Sequence, residues 1–111
     1  MTSGVKTIIY PAPDLDRAKA LFGALLGAAP TTDAPYYVGF TIGDQQIGLD
    51  PHGHTDGPVA YWHVEDISGM VTTLVDGGAT LKQEPKDVGG GRLIALLTDP
   101  AGSTIGLLQD A

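Results

Sequence analysis

The sequence predicts an α+β domain made of two tandem βαβββ modules that face each other across a shared concavity, with the helices on the outside. Three observations predict it. The opener Val5-Lys6-Thr7-Ile8-Ile9-Tyr10, running into Asp14-Leu15-Asp16, has a counterpart in Ala60-Tyr61-Trp62-His63-Val64, which runs into Glu65-Asp66-Ile67. Each opener feeds an apolar pattern of helical period. Each half then closes on the same tripeptide, Ile47-Gly48-Leu49 and Ile105-Gly106-Leu107. A long repeat present only twice indicates a duplicated module, since extended arrays need three or more copies to bury their faces.

The elements follow in order. Val5 to Tyr10 is β-branched and aromatic and stops at Pro11-Ala12-Pro13, which reads as a strand followed by an extended entry to a helix. Asp14 is placed to cap that helix. Leu15, Ala18, Leu21, Phe22, Leu25 and Leu26 recur behind it at helical spacing and give one apolar stripe that ends near Gly27. Ala28 to Pro35 reads as a loop. Tyr36 to Ile42 and Gln45 to Asp50 read as strands joined by the hairpin chemistry of Gly43-Asp44. The breaker-rich run from Pro51 to Pro58 separates the halves.

The second half repeats the plan. Val59 to Val64 is a strand, Asp66 is a cap, and Ile67, Met70, Val71, Leu74 and Val75 form the helical stripe that Gly77-Gly78 ends. Strands are expected at Ala79 to Gln83, Arg92 to Thr98 and Ser103 to Gln109, with a bend at Gly89-Gly90-Gly91 and a type I turn at Asp99-Pro100-Ala101-Gly102. Strand, helix and three strands, used twice, give eight strands and two helices.

Composition excludes several function classes. Six Lys and Arg against thirteen Asp and Glu leave a net charge of -7 with no basic cluster, which opposes binding to nucleic acid or to anionic membranes. There is no apolar run long enough to cross a bilayer, and residues 1 to 4 lack the core of a secretory signal. The absence of Cys removes disulfides, thiolate ligands and a cysteine nucleophile, and fits a cytoplasmic location. Gly89-Gly90-Gly91 is followed by neither a helix start nor Lys-Ser, so it is not a phosphate loop. The serines at 3, 68 and 103 form no nucleophile arrangement.

A strand leading into Pro-x-x-Asp-Leu-Asp-Arg-Ala, a Leu- and Phe-rich helix ending in Leu-Gly, and a last hairpin of the form Thr-Asp-Pro-x-Gly-x-x-Ile-x-Leu together resemble the vicinal oxygen chelate superfamily. That group includes glyoxalase I, extradiol dioxygenases and the bleomycin-binding resistance proteins. The resemblance covers residues 5 to 109. It implies one domain over 1–111, with module one at about 5–50 and module two at about 59–109, folded into a curved, half-open β-barrel-like cleft. It also implies a homodimer.

In metal-using members, four inward positions hold the ion, one from the first and one from the last strand of each module. Aligned on Asp14-Leu15 and Asp66-Ile67, the first-strand positions fall on Thr7 and Val59, and the last-strand positions fall on Gly48 and Gly106. A divalent ion needs several imidazole or carboxylate groups converging at about 2.0 to 2.3 Å, and this set offers at most one neutral hydroxyl. A two-residue slip adds only Asp50 and His63 as good ligands. His52-Gly53-His54 has the look of a metal clip without a third ligand. Neither a metal site nor a cofactor is expected.

Strand alternation puts Thr7, Ile9, Gln46, Gly48, Asp50, Val59, Tyr61, His63, Thr104, Gly106 and Leu108 on the inward side. Trp62 falls on the helix side and reads as core. The glycines at 48 and 106 are expected to widen the cavity, and Arg92 reads as a lone surface cation. The expected function is binding of a small organic molecule, neutral or cationic, as in sequestration of a drug or metabolite. The ligand-binding set is Thr7, Tyr37, Gly48, Asp50, Val59, Tyr61, His63 and Gly106. The alternative is a lyase or dioxygenase-like enzyme, metal-dependent or using His63 as general base with Asp50 as its partner.

Overall fold

The structure, a computed structural model, describes residues 2–52 and 57–111. Its elements run β1 (Thr2–Pro11), α1 (Leu15–Leu26), β2 (Thr32–Ala34), β3 (Tyr37–Ile42), β4 (Gln45–Asp50), β5 (Val59–Val64), α2 (Ile67–Asp76), β6 (Thr80–Asp87), β7 (Leu93–Thr98) and β8 (Thr104–Gln109). Strand, helix and three strands occur twice, the α+β plan that the sequence predicts. The chain divides into two compact units, Lys6–Val59 and Met1–Val5 with Ala60–Ala111.

In the unit Lys6–Val59 the strand order is β2-β3-β4-β1. β4 runs antiparallel to β3 and parallel to β1, with Ile9 opposite Gly48 and Gly39 opposite Gly48 on the other side. The Gly43-Asp44 turn closes the β3–β4 hairpin with Gly43 at φ +58, a conformation open to glycine at the first position of such a turn. One correction concerns Ala28 to Pro35, expected to be loop throughout. Thr32–Ala34 forms a three-residue edge strand against Tyr37, Val38 and Gly39.

The core of this unit is Ala12, Val38, Phe40 and Leu49, packed by Tyr10, Leu15, Ala18, Phe22, Leu26 and Ile47. Tyr10 and Phe22 meet with ring centroids 4.8 Å apart at 53°, a tilted aromatic contact. Asp14 caps α1 by accepting the Arg17 amide at 3.2 Å, and Gly27 ends it in the left-handed conformation. The expected stripe is narrower than the sequence suggested. Leu21 and Leu25 are 65% and 75% exposed. Each precedes a residue packed against the core, Phe22 or Leu26, and so lies roughly 100° around the helix from it.

In the unit Met1–Val5 with Ala60–Ala111 the order is β5-β8-β7-β6. The start of β1 joins it through the Thr2 hydroxyl, which donates to the His63 carbonyl at 2.8 Å. Val64, Ile67, Ala95, Leu97 and Leu107 form the core, with Met70, Val71 and Leu74 of α2 against it. Asp66 caps α2 through the Gly69 amide at 3.1 Å, while the Ile67 amide donates to the Gln109 side chain at 2.8 Å. The last residue of β8, an interior strand, therefore supplies part of the helix cap.

Two expectations change here. β6 extends to Asp87, beyond the expected Gln83, with register shifts on either side of Gln83. Pro85 is tolerated because β6 is an edge strand. Trp62 lies on the helix side of β5, as alternation requires, but it is 40% exposed and not core. Alternation fixes the face of a residue, not how far the helix reaches across it. The Asp99–Gly102 turn forms as expected, with the Gly102 amide donating to the Asp99 carbonyl at 2.9 Å. The triple-glycine segment is a bend closed by Val88 and Arg92, whose backbones bond at 2.9 Å. None of the described helices is long and apolar enough to cross a membrane.

Candidate functional site

Each unit turns one sheet face to its helix and leaves another free of helix, and the candidate residues lie on the latter. In Lys6–Val59 these are Thr7, Ile9, Tyr37, Gly48 and Asp50. Thr7 is 1% exposed, and among the described residues no buried side-chain nitrogen or oxygen lacks a partner. Val59, at the end of this unit, is also buried. The Asp50 side chain accepts the His52 amide at 2.8 Å and its carbonyl accepts the Ala12 amide at 2.8 Å, so it holds the chain as it leaves β4. His54, the other half of the clip considered above, lies outside the described residues.

The surroundings of Gly48 correct one expectation. A Cβ at this position would lie 2.5 Å from Ile9 Cδ1 and 2.8 Å from Tyr37 Cζ, and would also collide with the Tyr37 hydroxyl. The glycine therefore makes room for the tyrosine instead of opening a cavity. The other unit repeats the arrangement. Tyr61 is directly opposite Gly106 in the parallel β5–β8 pair, and a Cβ on Gly106 would meet Tyr61 Cδ1 at 2.7 Å and the Ala60 carbonyl oxygen at 2.8 Å. Tyr61 and Leu108 are buried beside it.

His63 belongs to this second group, and its surroundings hold the residue that sequence reasoning missed. Its Nδ1 lies 3.5 Å from Asp110 Oδ2, with the imidazole 14% exposed. The other carboxylate oxygen, Oδ1, accepts from both Nε and Nη2 of Arg92, each at 2.8 Å. One carboxylate thus links a guanidinium and an imidazole, and Arg92 is not the lone surface cation expected from sequence. Strand register explains the cluster. His63 is opposite Leu108, and Leu93 is opposite Gln109, which brings Asp110 beside His63 and across from Arg92. Combining the alternation of β8 with its pairing to β7 would have exposed it. Asp50, the partner proposed for His63, belongs to the other unit and is engaged with His52.

A metal of the kind the resemblance implies does not fit the residues present. Thr7, Val59, Gly48 and Gly106 bring no imidazole or carboxylate, and the glycine positions cannot accept a longer side chain while Tyr37 and Tyr61 stay where they are. Among the described residues no three His, Asp or Glu side chains group together as a metal site would need.

Known proteins agree with this architecture. A glyoxalase/bleomycin resistance protein/dioxygenase superfamily member from Vibrio splendidus superposes with a TM-score of 0.70 at 18% identity, covering 95% of this chain and 97% of that one. Methylmalonyl-CoA epimerase from Mycobacterium tuberculosis superposes at 0.75 with 19% identity, covering 99% and 89%. A variant of the Streptomyces coelicolor epimerase, in complex with 2-nitronate-propionyl-CoA, superposes at 0.81 with 16% identity, covering 100% and 96%. At these identities the likeness is one of fold alone. No curated protein matches the sequence. The superfamily's own sequence pattern, however, matches residues 4–107, nearly the whole of both modules. The chain that places tyrosines over its two repeated glycines therefore belongs to the Glyoxalase/Bleomycin resistance protein/Dioxygenase superfamily.

Proposed function

We propose that this chain binds a small organic molecule, neutral or cationic, on the helix-free faces of its strands and without a catalytic metal. The observation that carries the reading is the replacement of the ligand positions by Thr7, Val59, Gly48 and Gly106, with tyrosines lying over both glycines. Phenol rings give apolar area and a hydroxyl for orientation, which suits recognition better than Lewis-acid chemistry. His63 in one unit and Asp50 in the other are the polar candidates, while Thr7 and Val59 are buried. The net charge of -7 weighs against a phosphorylated ligand, including the CoA esters handled by the epimerases of similar fold. Sequestration of a drug or metabolite in the cytoplasm, by a homodimer, is the biological form of this reading.

A thermal-shift screen of cationic antibiotics and aromatic metabolites tests it, on protein purified without a His tag. A binder at a hundred times its dissociation constant adds about 2.7 kcal/mol of stability. The shift is expected to survive chelator and to weaken in His63→Ala. Stoichiometric metal that survives dialysis, with activity lost to chelator, would overturn the proposal.

A second reading rests on the Arg92–Asp110–His63 cluster. A carboxylate facing Nδ1 orients an imidazole for proton transfer, so a lyase-like enzyme would use His63 as general base and Asp110 as a positioning residue. In that case Asp110→Asn lowers kcat more than it raises KM, whereas the binding reading leaves no turnover to lose.

A further inference from the structure

On the helix side of the unit that contains α2, a cavity of about 290 Å³ opens between helix and sheet. Met70 and Leu74 of α2 form one wall, Trp62 and Val64 of β5 with Ile105 and Leu107 of β8 form the other, and Thr2 of β1 lies at the edge. We infer that it binds a small, neutral, apolar molecule of the size of one aromatic ring or a short alkyl chain.

The lining sets the chemical class. It contains no charged group and is almost wholly apolar, and its one hydroxyl is already engaged: Thr2 donates to the His63 carbonyl at 2.8 Å and accepts the Gly4 amide at 3.0 Å. An ion or a strong hydrogen-bonding group would lose its water here without replacement, which costs more than apolar contact returns. Size favours a small molecule over a protein partner. The volume is near the roughly 300 Å³ lower bound of small-molecule pockets, and a dry apolar cavity of roughly 150 Å³ suffices for benzene. A stable protein interface needs roughly 800 Å² from each partner, far more than seven residues provide. Trp62, 40% exposed, leaves part of its indole for a ligand to cover.

The site lies on the opposite side of β5 and β8 from Tyr61, His63 and Gly106, so this inference and the proposed function can fail separately. Trp62 is also the chain's one tryptophan, and its emission reports this site without background. Toluene titrated into the protein is expected to shift Trp62 emission to the blue in a saturable way and to raise Tm. Benzylammonium, the same ring with a charge, is expected to bind roughly tenfold more weakly or worse. Filling the cavity with Met70→Phe and Leu74→Phe together should weaken toluene roughly tenfold, and Leu74→Gln, which keeps the space but adds an amide, should do the same. Circular dichroism identifies any variant that has lost its helices, in which case the other variant decides. An unsaturable response, equal binding of the two probes, or an unchanged affinity in the folded variants overturns the proposal. So does Trp62 emission that shifts with protein concentration alone and ignores toluene, since a second copy would then occupy the site.

Discussion

Gly48 and Gly106 close their modules with the same tripeptide but are held by different neighbours. Around Gly48 the nearest atoms are the ends of two side chains, Ile9 and Tyr37, which can shift by rotation. At Gly106 one of the two nearest atoms is the Ala60 carbonyl oxygen at 2.8 Å, and backbone inside a sheet cannot move alone. Overpacking at such a site costs about 1–3 kcal/mol. Gly106→Ala is therefore expected to lose stability in that range and Gly48→Ala to lose clearly less, as read from urea midpoints at constant slope. Equal losses, or a larger one at 48, would discard this account. Residues of this kind were half legible in the sequence. Alternation placed both glycines and Tyr61 on the helix-free face, but burial of a ring over a glycine depends on its rotamer, which no sequence pattern encodes. Asp110 was missed because it follows the last strand, where the alternation argument had stopped.

At the scale of elements, α2 depends on two caps of different origin. Asp66 is local and was readable from sequence, since a short polar side chain before an apolar helical run marks an N-terminus. Gln109 comes from the far end of β8, 42 positions away, and accepts the Ile67 amide. Removing either acceptor leaves an amide short of its partner. Asp66→Ala and Gln109→Ala are each expected to cost about 1 kcal/mol, by thermal or urea unfolding. If Gln109→Ala leaves stability unchanged, the cross-strand cap has no energetic role. The helices were legible because caps, stripes and glycine stops agreed. β2 was not, since Thr32-Asp33-Ala34 carries no apolar alternation and is a strand only through its pairing with β3. The exposure of Leu21 and Leu25 went unread for a related reason: a stripe drawn from spacing alone overestimates the arc that a sheet can cover.

For the whole molecule, the repeat was the most legible signal, and it gave the element order, the caps and the family. The compact units divide at Val59 and Ala60, and residues 1 to 5 group with the second half, a feature that repeat matching does not reveal. The units contain 54 residues (6 to 59) and 57 residues (1 to 5 with 60 to 111). At that length each buries only about 60% of the surface of its unfolded chain, which leaves little margin for independent stability. The two are accordingly expected to unfold in one transition. Trp62 emission reports the second unit and far-ultraviolet circular dichroism reports both, so their urea curves should coincide. Separated midpoints would show that each half is stable without the other.

The tyrosines over Gly48 and Gly106 also bear on how this chain could be given an ion site. A carboxylate at position 106 would collide with Tyr61 and with the Ala60 carbonyl oxygen, whereas at position 48 the obstacles are the ends of the Tyr37 and Ile9 side chains. At 106 the incoming side chain would strain the sheet, since backbone cannot yield alone, while at 48 rotation of two side chains makes the space. An ion site built into this chain would therefore meet its main obstacle at Gly106, where replacing Tyr61 alone leaves the Ala60 carbonyl in the way.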